Sequence, residues 1–487
     1  MTTQPRELHG LRIAARDGSV VSLPASDLEA LASRVQGRLL VEGDAGWDEA
    51  ILVWNGMAAK TPALVVQPTS AEDVGEIVSF ARERGLLLSV KGGGHHVAGI
   101  AIAEGGLTLD LSQLREIEVD PEARLARVGA GCQLADVDRA TQEHGLATPL
   151  GFISEVGVAG LTLGGGLGYL TRRFGWTVDY LEEVEIVAAD GRVRTASRRQ
   201  HEDLFWAVRG GGGNVGVVTR FTYRLHDVGP MIHGGLIGWP VERADEILRA
   251  YRTITAGAPR ELTLWLVMLH APPLPFVPDE WHGQKLCTMV VCWSGDLAEA
   301  DAALAPIRAI GDPVVDVLQP WPYVQQQSFL DDGEPKGMHY YWKTEFVSEL
   351  GDGLLDATRD TFVECPVPGA MVGFLQLHGA LNERASDDGA VGNRDVRFAL
   401  GVLGKWEPDE PRADAFVQWV RDGWERVSPF TLGRTYVNFQ SADEDDARVR
   451  AAYGENYERL AAVKARYDPE NLFRVNRNVR PRSRQEG

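Results

Sequence analysis

Lys91-Gly92-Gly93-Gly94-His95-His96-Val97-Ala98-Gly99 follows directly on the apolar run Leu86-Leu87-Leu88-Ser89-Val90. A strand therefore runs into three glycines and then into two imidazoles. Glycines let backbone N–H groups turn inward around an anion such as a pyrophosphate. A histidine at the lip of that cradle can touch whatever the pyrophosphate carries. The arrangement suits a dinucleotide held by its phosphates, with a reactive side chain against its ring.

Upstream, Ala63–Gln67 reads as a short apolar strand, and Ser70 with Asp73 resembles a capping box. Val74, Ile77, Val78 and Ala81 then share one helical face, and Gly85 closes the helix. This is one strand–helix–strand unit ending at the glycine loop. Downstream, residues 107–131 break into short strands, and Leu134–His144 reads as a helix ended by Gly145. A second glycine cluster, GVAGLTLGGGLG, occupies 157–168, and a third, RGGGGNVGVVTRF, occupies 209–221. Gly211, Gly213 and Gly216 match G-x-G-x-x-G literally. That motif should open a helix, whereas Val217-Val218-Thr219 continues as a β-branched strand, so a Rossmann site is not expected. One glycine cluster alone reads as a tight turn or bulge. Three of them before residue 229 suit an extended cofactor that approaches the backbone at several points.

The texture changes near residue 229. From there to about 436 the glycine clusters vanish, and nine of the thirteen tryptophans accumulate. Strand-like runs (LTLWLVML, KLCTMVVCW, VGFLQLHG, FALGVLGKW) alternate with helical ones (ERADEILRAYRTI, DAFVQWVRDGW), the pattern of an antiparallel sheet backed by helices. A last helix, with Tyr453, Tyr457, Leu460 and Ala461 on one side, is expected to stop at Asp468-Pro469, ahead of NLFRVNRNV. The expected organisation is α+β: 1–228, 229–436 as a second domain, and 437–487 as a C-terminal segment. At 487 residues the chain is too long for one core. The net charge of −20 argues against nucleic acid and anionic membrane surfaces as partners. Cys132, Cys287, Cys292 and Cys365 show no metal or redox spacing and read as core thiols of a reducing compartment. MTTQPREL lacks a signal pattern and no run of apolar residues is long enough to span a bilayer, so a cytoplasmic protein, monomer or homodimer, is expected.

The three clusters in this order, from about Ala63 to Val479, resemble the FAD-linked oxidases of the vanillyl-alcohol oxidase superfamily (PCMH-type FAD-binding fold), specifically the berberine-bridge-enzyme-like group. The resemblance implies a two-domain fold, with an FAD-binding domain at 1–228 completed by 437–487 and a substrate domain at 229–436. KGGGHHVAG is similar to the loop that wraps the pyrophosphate, implicating Lys91, Gly92, Gly93, Gly94, His96 and Gly99. The histidine bonded to the flavin 8α-methyl falls on His95. The second segment implicates Gly157, Val158, Gly160, Leu161, Thr162, Gly165 and Gly168, and the third Gly216 with Val217 and Val218 beside the adenine. YVNF at 436–439 and NLFRVNRNV at 471–479 resemble elements that return to the flavin, bringing Asn438 and Asn476.

Departures from the family pattern are informative. Bicovalent members carry a cysteine where this chain has Ile153, so the resemblance implies a single link, through His95. A common histidine is Leu161 here, and the family's Asn-Tyr is Asn438-Phe439. The implied reaction takes a hydride from a C–H next to an alcohol, amine or aromatic group of a small-molecule or secondary-metabolite substrate, with O2 reoxidising the flavin to give H2O2. Tyr436 is the first expected proton acceptor; His378, Gln376 and Lys343 are weaker ones. Val156 falls beside the edge where O2 reacts. Two alternatives stay open: a dehydrogenase using another acceptor, and a flavin-bearing binding protein without turnover.

Overall fold

A computed structural model describes residues 9–482; the MTTQPREL stretch, and with it the expectation about a leader, lies outside the described residues. The first glycine loop leaves the edge of a four-stranded sheet. Leu64–Gln67, Leu107–Asp110 and Leu88–Lys91 are parallel, with 107–110 in the middle, and Arg38–Leu40 pairs antiparallel on the far side of Leu64–Gln67. Parallel strands need a crossover. Helix Ala71–Glu83 supplies it, burying Val74, Ile77, Val78 and Ala81 completely. Ser70 caps this helix, its Oγ accepting from Asp73 N at 3.1 Å, and Gly85 beyond its end sits at φ +63°.

A five-stranded antiparallel sheet follows, in the order Val193–Ser197, Leu181–Val187, Val217–Arg224, Leu125–Gly129, Ile117–Asp120. The third glycine cluster feeds its central strand rather than a helix, as the β-branched Val217-Val218-Thr219 predicted.

An antiparallel sheet of eight strands lies between Met231 and Trp406. Its order is Val315–Asp316, Met231–Pro240, Lys285–Trp293, Leu262–His270, Met371–Gln376, Phe398–Trp406, His339–Val347, with Gln319–Pro322 also pairing on Met231–Pro240. Helices Ala244–Gly257, Ala300–Arg308, Asp352–Val363 and Ala413–Val427 back one face of it. There Leu266, Met289, Phe374 and Leu400 pack with Ile247, Leu304, Phe362 and Phe416 into one core. The other face looks toward the glycine loops. This is the α+β architecture expected.

The last helix differs from expectation. It breaks at Gly454, which adopts φ +53°, into Asp446–Tyr453 and Tyr457–Tyr467. A left-handed residue cannot continue a right-handed helix, and glycine alone takes that conformation without penalty.

Candidate active site

One cavity of about 920 Å³ lies between the glycine loops and the uncovered face of the eight-stranded sheet. The first cluster lines it with Gly92, Gly93, Gly94, His95 and His96, the second with Val156, Gly157, Gly160 and Leu161, and the third with Gly216, Val217 and Val218. Tyr436, Asn438 and Asn476 close it from the C-terminal segment. Residues separated by hundreds of positions thus share one wall.

The first and second clusters touch backbone to backbone. A Cβ on Gly93 would stand 2.3 Å from Gly157 N, and a Cβ on Gly157 would stand 2.2 Å from Gly93 N. No side chain fits at either position. At Gly160 and Gly213 a Cβ would meet nothing within 4 Å, and both glycines border the cavity. One pair of glycines is needed to bring the loops together; the other leaves open backbone for a ligand.

His95 lies flat against Trp54, with ring centroids 4.7 Å apart and planes 16° from parallel. Tyr340 stacks on Trp54 at 3.7 Å, and Trp54 Nε1 donates to the backbone oxygen of Glu334 at 2.9 Å. Burial, with Lys336 adding to it, lowers the His95 pKa to about 4, so its imidazole is neutral at pH 7. Burial, reinforced by Arg477, lowers that of His96 to about 3, and its Nδ1 accepts from Ala98 N at 3.1 Å. Among the described residues, His95 Nε2, His96 Nε2 and Asn476 Oδ1 are buried without a hydrogen-bond partner. Unpaired buried polar atoms are costly, and three of them on one glycine-walled cavity fit a bound polar group such as FAD.

Other residues expected at the cofactor stand behind the wall instead. Lys91 pairs with Asp110 at 3.8 Å, and Gly99 packs on Ala58. Helix Val158–Leu163 turns Gly160 and Leu161 to the cavity, which leaves Val158 fully buried and Thr162 hydrogen-bonded to the Tyr223 hydroxyl at 2.7 Å. Gly165 and Gly168 make close approaches to Val391 and to the Leu150 carbonyl. These six residues shape the wall without forming its surface.

The proton-acceptor assignments need correction. The Tyr436 hydroxyl accepts from Gly166 N at 2.8 Å and from Asn438 Nδ2 at 3.0 Å, and its own hydrogen points to the Leu161 carbonyl at 3.5 Å. Burial pushes its pKa further above the ordinary 10. Lys343, another expected acceptor, is spent on Asp443 at 2.9 Å and Glu444 at 3.0 Å. Tyr436 is therefore an anchor for the second glycine segment. His378 is outside the cavity: its Nε2 lies 3.2 Å from the Thr255 carbonyl and its Nδ1 3.4 Å from that of Arg397. Gln376 Oε1 accepts from Leu264 N within the sheet.

Sequence reasoning missed Trp54, Glu334 and Lys405. Each sits on the cavity wall, and none carries a local motif. Burial raises the Glu334 carboxyl to about 7, with Lys405 opposing the shift. Among the described residues no helix is long and apolar enough to cross a membrane.

A glycine-walled cavity set against an open sheet face has room for a dinucleotide cofactor, and the comparisons make the chain a flavin-dependent oxidoreductase. Family models agree: an FAD binding domain matches residues 62–197, and a berberine and berberine-like segment matches 435–480. The (R)-6-hydroxynicotine oxidase of Paenarthrobacter nicotinovorans is 30% identical over 92% of this chain and 97% of its own. The crystal structure of 6-hydroxy-D-nicotine oxidase from Arthrobacter nicotinovorans superposes with TM-score 0.82 at 26% identity, covering 92% of this chain and 98% of that one. BBE-like 1 of Physcomitrella patens shares the fold, with TM-score 0.83 at 22% identity over 94% of this chain and 99% of its own. The chain belongs to the berberine-bridge-enzyme-like FAD-linked oxidoreductases, with their PCMH-type FAD-binding fold.

Proposed function

We propose that this enzyme is an oxidase that carries one FAD, covalently held through His95 alone. It takes a hydride from a C–H beside an alcohol, amine or aromatic group of a small molecule and passes the electrons to O2, giving H2O2. Residues 1–228 with 437–487 hold the cofactor, and 229–436 receive the substrate. When bound, FAD supplies the hydride acceptor and the site of oxygen reduction.

The observation that carries this reading is His95: neutral, stacked on Trp54, and on the wall of the cavity that also borders the open sheet face. A neutral imidazole is a nucleophile; an imidazolium is not. A second thioether link has no thiol to form it. Ile153 occupies the cavity wall, and burial pushes the Cys132 thiol up to about 12, away from thiolate. All four cysteines are free and buried, which suits a reducing compartment such as the cytoplasm. The Gly93–Gly157 contact keeps the two cofactor loops in register, and Tyr436 fixes Gly166 and Asn438 beside them. Val156, a small side chain at the wall, leaves room for O2.

Flavin reduction under argon by a panel of alcohols, amines and phenols, followed by admission of air, tests the proposal. It predicts bleaching by at least one class, then recovery of the yellow colour with one H2O2 per turnover. Bleaching that air fails to reverse, while an artificial acceptor does, would mark a dehydrogenase.

A further inference from the structure

His95 is tied to the eight-stranded sheet through a stack of rings. Trp54 lies against its imidazole, 4.7 Å away and 16° from parallel, and against the phenol ring of Tyr340, 3.7 Å away and 21° from parallel. Tyr340 belongs to His339–Val347, the strand at the edge of the sheet. Trp54 and Tyr340 are 1% and 3% exposed, and with Val97 of the first glycine loop they form a small core of their own.

An edge strand leaves backbone groups unpaired. Here the chain around Trp54 takes them up. The Asn55 side chain accepts from Tyr340 N at 3.0 Å and donates to Tyr340 O at 2.9 Å, and the same Nδ2 donates to Val97 O at 2.6 Å. Gly56 N donates to Met338 O and Gly337 N to Trp54 O, each at 2.8 Å, while Trp54 N donates to Gly94 O at 3.0 Å. Residues 54–56 thus join the edge strand to the glycine loop on both sides of His95.

The imidazole has little else to aim it. A histidine ring is ordinarily oriented by a hydrogen bond at one nitrogen, and among the described residues His95 Nε2 has no partner. The lone pair of an imidazole nitrogen lies in the ring plane, so the tilt that Trp54 imposes sets the direction in which His95 can form a bond. His95 and Trp54 line the cavity and Tyr340 does not, so Tyr340 reaches a ligand there only through Trp54.

We propose that Tyr340 is a positioning residue for cofactor attachment. Acting through Trp54, it holds the His95 ring at the angle from which FAD is linked, so that linkage runs at full rate only with the edge strand docked on the first glycine loop. This rests on the proposed His95 link. Forming that link makes one N–C bond and breaks one C–H bond of the 8α-methyl and the N–H of the imidazole. The two electrons and two protons released reduce the flavin ring, and O2 removes them as H2O2.

The test follows attachment in the full-length chain, made in flavin-starved cells and mixed with saturating FAD. Flavin that stays with acid-precipitated protein is measured against time, and total bound flavin by absorbance after gel filtration. Tyr340→Met fills much of the space without a flat ring. It should slow attachment about tenfold, the equivalent of ~1.4 kcal/mol of lost alignment, and bind as much FAD as wild type. Tyr340→Phe keeps the ring and gives up only the hydroxyl's donation to Pro335 O at 2.6 Å, so it should attach FAD at the wild-type rate. Attachment as fast in the methionine variant as in wild type would overturn the proposal, as would a phenylalanine variant as slow as the methionine one. Loss of FAD binding or of the fold in the methionine variant would overturn it too, because Tyr340 would then serve the structure as a whole. Wild type that binds FAD yet releases all of it into acid would remove the His95 link itself, and this proposal with it.

Discussion

Gly93→Ala probes the contact that holds the cofactor loops together. Its new methyl would stand 2.3 Å from Gly157 N, where ordinary contact begins at 3.4 Å, so the loops must part by about 1.1 Å. The obstacle is backbone on both sides, and no rotamer change can relieve it. Overpacking of this kind costs ~1–3 kcal/mol, and with rigid main chain facing the methyl the upper end applies. The separation falls where His95 and the second glycine segment must meet one ligand. We therefore expect a lower unfolding midpoint in denaturant together with a fall in the flavin-to-protein ratio, measured by absorbance after gel filtration. Gly257→Ala is the control: it ends helix Ala244–Gly257, a Cβ there meets nothing within 4 Å, and it does not line the cavity. That variant should keep full flavin and gain up to ~1 kcal/mol from reduced backbone entropy. Normal flavin content and an unchanged midpoint in Gly93→Ala would refute the reasoning.

Val156→Ile should slow reoxidation of the reduced enzyme by air about tenfold, a barrier change of ~1.4 kcal/mol, with flavin reduction by substrate unaffected; equal reoxidation in stopped flow would remove Val156 from the oxygen path. Tyr436→Phe strips the acceptor from Gly166 N and Asn438 Nδ2, so it should cost ~1–3 kcal/mol of stability and leave the rate of anaerobic flavin reduction near that of wild type. A large loss of reduction rate in a stable variant would restore Tyr436 as a proton acceptor. Because the folded His95 pKa is about 4 against an ordinary 6.5, the neutral imidazole persists through mild acid. Attachment of FAD to apoprotein should then be as fast at pH 5.5 as at pH 7.5, whereas an ordinary histidine would lose most of its rate there. In the same window the unfolded chain binds this proton and the folded chain does not, so the contribution of His95 to stability is complete above 6.5 and declines as pH falls toward 4.

The glycine clusters were legible because their chemistry is local: a strand end, a run without Cβ atoms and a histidine are adjacent in the chain. The β-branched Val217-Val218 was enough to separate a turn from a Rossmann helix. The apolar runs LTLWLVML and FALGVLGKW read as strands, but they left undecided which residues would face the helices and which the cavity. That is fixed by pairing across the sheet. Trp54 was invisible for the same reason, since it acts by stacking on Tyr340 and donating to the Glu334 carbonyl, both nearly three hundred residues away. His378 misled because a histidine beside a strand end looks available until its carbonyl partners, Thr255 and Arg397, are brought to it by the fold. The break at Gly454 shows how one left-handed residue overrides a continuous apolar stripe.

Peptide mass analysis of the purified, acid-precipitated holoenzyme tests the central claim most directly. The account predicts a single flavin-bearing peptide, with the modification on His95 and none on His96, Cys132, Cys287, Cys292 or Cys365. Release of all flavin into the acid supernatant, or a flavin adduct on any cysteine, would contradict it.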